Sequence, residues 1–74
     1  MTQASKSHRY TLKFSGTIDE AFLADYCPAG TRLIPDEDTF VLSNLYSDQA
    51  GVLGILRYLH NYGCVLMELS ITDE

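Results

Sequence analysis

The feature that most constrains this chain is the succession of hydrophobic periods over residues 40–71: an alternating run, a polar turn, a stretch with helical spacing, a glycine, and a second alternating run. Val52, Ile55, Leu56 and Leu59 recur at the three- and four-residue steps of one helical face, flanked by Leu53 and Tyr62. Opposite them lie Ala50, Gly54, Arg57 and Asn61. Ser47 or Asp48 is placed to cap this helix, and Gly63 to end it in a left-handed conformation. The strand after it, over 64–71, sends Val65, Met67, Leu69 and Ile71 one way and Cys64, Leu66, Glu68 and Ser70 the other.

A shorter copy of the same plan precedes it. Tyr10, Leu12 and Phe14 alternate with Arg9, Thr11, Lys13 and Ser15, which predicts a strand with one wet face. Gly16 breaks the strand, and Thr17-Ile18-Asp19-Glu20 reads as a capping box for a short helix. That helix carries Ile18, Ala21, Phe22 and either Leu23 or Tyr26 inward until Pro28 stops it. A hairpin follows: a strand over 31–34, the turn Pro35-Asp36-Glu37-Asp38, and a strand over 39–43 with Phe40 and Leu42 on one face and Val41 on the other.

The order β-α-β-β-α-β predicts an α+β, ferredoxin-like domain: a four-stranded antiparallel sheet with two helices on one face. Residues 9–72 form this single domain, behind a disordered arm over 1–8. A chain of 74 residues buries only about 60% of its unfolded surface, so a second chain is expected to supply what the core lacks. The sheet face away from the helices is expected to be that contact. On it fall Thr11, Lys13, Arg32, Val41, Cys64, Leu66 and Glu68, with Val41, Cys64 and Leu66 as the apolar centre and Lys13, Arg32 and Glu68 setting orientation. The apolar edge of the last strand is the alternative.

Composition excludes several classes. Ten acidic against five basic residues give a net charge of −5, which repels nucleic-acid phosphates and anionic lipid surfaces. No apolar run reaches the length of a membrane span, and the polar start is unlike a secretion signal, so a cytoplasmic protein is expected. Cys27 and Cys64 then read as free thiols.

Catalytic and metal chemistry is weakly represented. Cys27, His60 and Cys64 are three ligand types without the matched pairs of a zinc site, and Gly63 separates His60 from Cys64 at a helix end. Asp36, Glu37 and Asp38 read as a solvated turn, as do Asp73 and Glu74 at the tail. No cofactor is expected. Two further places are distinctive. Amides in the loop of Asn44, Ser47, Asp48 and Gly51 sit at a helix start, where an anion or carboxylate can bind. Ala50 and Gly54, with Arg57 and Tyr58 beside them, form a flat strip for a helix or ligand, since a mid-helix glycine costs about 0.5–1 kcal/mol.

The run from Asp48 through Gln-Ala-Gly-Val-Leu-Gly-Ile-Leu to Leu66 resembles the helix and strand of an ACT regulatory domain, whose turn also reads Asp, a residue or two, Gly, Val, Leu. In ACT domains that turn follows the first strand, whereas here it follows the third. The whole chain resembles small uncharacterised bacterial proteins with a strand, Asp-Gln-Ala, a helix and a leucine-rich last strand. The expected function is therefore a non-enzymatic interaction or regulatory domain working as a homodimer or with another protein. The alternative implied by the ACT resemblance is a sensor binding a small metabolite at the loop before the second helix.

Overall fold

The computed structural model describes residues 6–72. Its elements are β1 (His8–Ser15), α1 (Glu20–Tyr26), β2 (Arg32–Asp36), β3 (Thr39–Ser47), α2 (Gln49–Asn61) and β4 (Val65–Ile71). The strands lie in the order β2-β3-β1-β4, and every neighbouring pair is antiparallel. This is the ferredoxin-like arrangement expected from the sequence: α1 carries the chain from β1 to β2, and β3 inserts between them.

One face of the two central strands makes the core. Tyr10, Leu12 and Phe14 from β1 and Phe40, Leu42 and Leu45 from β3 are buried against Phe22 of α1 and Val52, Ile55 and Leu59 of α2. Phe14 and Phe40 stand opposite each other in register and stack with centroids 5.3 Å apart. Burying each such side chain contributes about 1.5–3 kcal/mol, against about 1 kcal/mol for a typical helix cap.

Two β-bulges decide which residues face that core. Between the pairs Tyr10–Leu45 and Leu12–Leu42, β1 supplies Thr11 alone while β3 supplies Ser43 and Asn44. Asn44 takes the left-handed conformation at φ 56°, which its short amide tolerates better than most side chains. The extra residue restores Leu45 to the buried face, so β3 continues to Ser47 instead of ending at residue 43. Between Lys13–Glu68 and Phe14–Leu66, Met67 is the extra residue on β4. Below it the alternation reverses: Leu66 lies opposite core-facing Phe14, and Val65 opposite Ser15.

The helix ends show why the elements stop where they do. Asp19 caps α1 and accepts from the Phe22 amide at 3.2 Å. The expected Thr17 cap is corrected by this geometry, because the helix begins two residues later and leaves Thr17 exposed. Asp48 caps α2, accepting from the Gly51 amide at 2.8 Å. At its far end Gly63 has φ 88°, the Gly63 amide donates to the His60 carbonyl and the Cys64 amide to the Leu59 carbonyl. That is a Schellman closure, with Cys64 and Leu59 as its buried apolar pair.

Other boundaries shift by small steps. The expected arm over 1–8 lies outside the described residues for its first five positions, and His8 already belongs to β1. Asp73 and Glu74 are also outside them. β2 runs on through Pro35 to Asp36, which shortens the turn to Glu37 and Asp38. Pro35 fits because β2 has a neighbour on one side only. Tyr26, expected as a possible core residue, is 41% exposed; Ala21 is exposed, and Leu23 is half-buried against the core.

Glu37 is exposed and held at φ 60° in this tight turn. A left-handed non-glycine residue costs about 1–2 kcal/mol, while glycine's extra unfolded freedom returns about 0.5–1 kcal/mol of that. Glu37→Gly is therefore expected to stabilise the fold by about 0.5–1 kcal/mol, seen as a higher urea midpoint at unchanged slope. A midpoint that stays or falls would show that the turn stores no such strain.

Candidate functional site

The sheet face opposite the helices follows from the register. Thr11, Lys13 and Ser15 alternate with the buried residues of β1, Val41 lies opposite Lys13 on one side and Glu68 opposite it on the other. Arg32, Ile34 and Asp36 join from β2, paired with Ser43, Val41 and Thr39. Lys13, Arg32, Val41 and Glu68 of the expected interface thus share this face. Cys64 and Leu66 do not, and this corrects the expected apolar centre. Cys64 is buried in the core, where its Sγ would stand 3.0 Å from a Cβ placed on Gly16. Leu66 is turned to the helix side by the Met67 bulge. Ile34 and Val65 are the apolar residues that take their place, scattered among charged and hydroxyl side chains. This face is mostly polar.

The exposed apolar surface lies elsewhere. Every residue of β4 is exposed, and Leu66, Met67, Leu69 and Ile71 are each 41–52% open to solvent. Leu66, Leu69 and Ile71 lie opposite Phe14, Leu12 and Tyr10, so they belong to the helix side of the sheet. α2 leaves them uncovered. Between it and β4 runs a groove of about 300 Å³ lined by Tyr10, Gln49, Val52, Leu53, Leu56, Leu69 and Ile71, none of them charged. Leu53, 51% exposed, stands on its rim. Sequence alternation assigned Leu69 and Ile71 to the core side correctly, but nothing local signalled that the helix would stop short of covering them.

The loop before α2 is occupied by its own contacts. The Asn44 amide group donates to the Gly30 carbonyl at 3.1 Å, and its oxygen accepts from Arg9 Nε at 3.1 Å, pinning the bulge to β1 and to the α1–β2 connection. The Arg9 guanidinium also lies 5.1 Å from the centre of the Tyr46 ring. Ser47 Oγ donates to the Asp48 carbonyl, and a Cβ on Gly51 would collide with that Oγ. The Asp48 carboxylate fills the Gly51 amide. Asn44 therefore stands within β3 as a structural tie, and the amide expected to greet an anion already holds one from the chain itself.

On the outer side of α2, Ala50, Leu53, Gly54 and Arg57 line a shallow hollow of about 360 Å³, and no atom beyond the helix lies within 4 Å of a Cβ placed on Gly54. Tyr58 leaves the expected strip. Its ring packs 4.3 Å from Tyr26, and both gather with Tyr62 around Phe22 where α1 and α2 meet. Tyr58 raises the Tyr26 phenol above its ordinary range, with burial, Tyr62 and Asp25 adding to it. Pairing across two helices left no local mark in the sequence.

Among the described residues no three His, Cys, Asp or Glu side chains converge as a metal site, and both cysteines are free. Among the described residues no helix is long and apolar enough to cross a membrane. Burial pushes the half-buried Cys27 thiol up to about 11 and raises Cys64 as well. The folded state thus favours the neutral thiol, and this share of stability is lost as pH rises from about 8.5 through the folded value of about 11. Cys27 is expected to alkylate at pH 8 at least tenfold more slowly than free cysteine, since the thiolate is the nucleophile. Mass-spectrometric labelling at the free-cysteine rate would contradict this environment.

No family model, curated protein or solved structure matches this chain.

Proposed function

We propose that this chain is a non-enzymatic association domain that joins a protein partner, its own kind included, by adding a strand to β4. The observation that carries the reading is the contrast between its two sheet edges. β2, the edge on one side, is five residues long and carries Pro35 and Asp36, both of which discourage a further strand. β4, the other edge, is seven residues long, contains no proline and has Glu68 as its single charge. Its exposed side chains adjoin an apolar groove, so backbone pairing and side-chain burial would be gained in one contact. The polar open face offers less, which favours the edge over the face. Association without chemistry suits a regulatory or scaffolding role.

Size measurement tests the reading. The purified chain, or the protein in an extract of its host, is expected to run well above 8.3 kDa, and Leu69→Lys to return it to that mass with its circular dichroism unchanged. A chain that runs at the monomer mass in both settings overturns the reading.

A further inference from the structure

The backbone groups that β4 presents on the side away from β1 can be assigned residue by residue. The Thr72 amide donates to the Arg9 carbonyl at 2.8 Å, and the register continues without a break through Tyr10–Ile71, Thr11–Ser70, Leu12–Leu69 and Lys13–Glu68. In an antiparallel pair, residues that bond across the ladder alternate with residues whose N–H and C=O point away from it. Thr72, Ser70 and Glu68 therefore turn their backbones toward β1. Ile71 and Leu69 turn theirs outward, and their side chains border the apolar groove.

We infer that the occupant of this edge is a second copy of the chain, its β4 antiparallel to the first, with Leu69 on the two-fold axis; this rests on the association reading above. The charge pattern selects that register. Centring on Glu68 would set two carboxylates directly opposite in the closer, non-hydrogen-bonded kind of pair, where like charges destabilise. Centring on Leu69 lets the two Leu69 residues exchange their outward hydrogen bonds and places Glu68 opposite Ser70 of the second copy. Ile71 then meets Met67 of the second copy. A further shift toward the chain end would lose overlap.

The surroundings agree with this occupant. An axis perpendicular to the sheet keeps the helices of both copies on one side, so each groove faces the apolar side chains of the other copy. The net charge of −5 resists self-association, yet the groove carries no charge and β4 carries one. A stable contact takes about 800 Å² from each partner, about a sixth of the 5033 Å² surface. Leu53, Val65, Leu66, Met67, Leu69 and Ile71, each at least 41% exposed, lie on β4 or beside it to supply its apolar part.

Cysteine scanning tests the register. Leu69→Cys, Glu68→Cys and Ile71→Cys are prepared in the full chain, oxidised briefly with copper phenanthroline and read on non-reducing gels, with the unaltered chain controlling for Cys27 and Cys64. Opposed residues in this ladder have Cα atoms about 5.5 Å apart, within disulfide reach, whereas the two Ile71 residues would stand roughly 13 Å apart. Leu69→Cys is expected to cross-link at least tenfold faster than Glu68→Cys or Ile71→Cys. The double variant Met67→Cys with Ile71→Cys is expected to cross-link as fast as Leu69→Cys, and gives the same reading if Leu69→Cys folds poorly. A dimer that cross-links fastest through Glu68 or Ile71, or equally at all three positions, overturns the inference while leaving association through β4 standing. A purified chain of monomer mass that enlarges only with another protein in host extract overturns the inference too. Monomer mass in both settings removes the association reading with it.

Discussion

Burial of one face of β1 and β3 beneath α2 is the constraint to which the rest of the structure answers. Leu12, Phe14, Phe40, Leu42 and Leu59 are all essentially inaccessible, and together they fix which way each central strand must turn. The bulge at Ser43 and Asn44 is a consequence. Without an extra residue the next inward position after Leu42 would be Asn44, an amide forced into an apolar core; with it, Leu45 goes in and Asn44 comes out to bind Arg9 and Gly30. A single departure from regular pairing thus satisfies the core and ties three segments together.

The second bulge works in the opposite sense, on a strand with no core to satisfy it. Met67 shifts the parity of β4 so that Leu66 joins Leu69 and Ile71 on the helix side, and Val65 moves to the other. Apolar side chains that regular alternation would divide between faces are thereby gathered near α2. The helix nonetheless leaves the gathered side chains wet.

How much of this was legible in the sequence follows from the range of the signal. Period-two runs at Tyr10, Leu12, Phe14 and at Phe40, Leu42, the helical spacing of Val52, Ile55 and Leu59, and the glycine at 63 are local, and they are enough to yield element order and fold class. Asp19 displaced Thr17 as a cap because both are competent cap residues only two positions apart. Bulges were invisible because each is set by what lies across the ladder; Asn44 carried a hint in its tolerance of left-handed backbone, and Met67 carried none. Cys64 and Leu66 left the open sheet face for that reason, whereas Lys13, Arg32, Val41 and Glu68 lie on it as the alternation predicted. The exposed groove was illegible because it depends on where a helix rests over a sheet, which no spacing encodes.

The proline in β2 has an effect that reaches beyond its own strand. If β4 takes a partner strand as proposed, the sheet has a valency of one: the composite's remaining rim on this chain is the Pro35 side. Growth into ribbons needs two receptive margins per unit. The proline of β2 would then limit stoichiometry, because a strand seated on β4 leaves this chain no second receptive margin from which a polymer could grow.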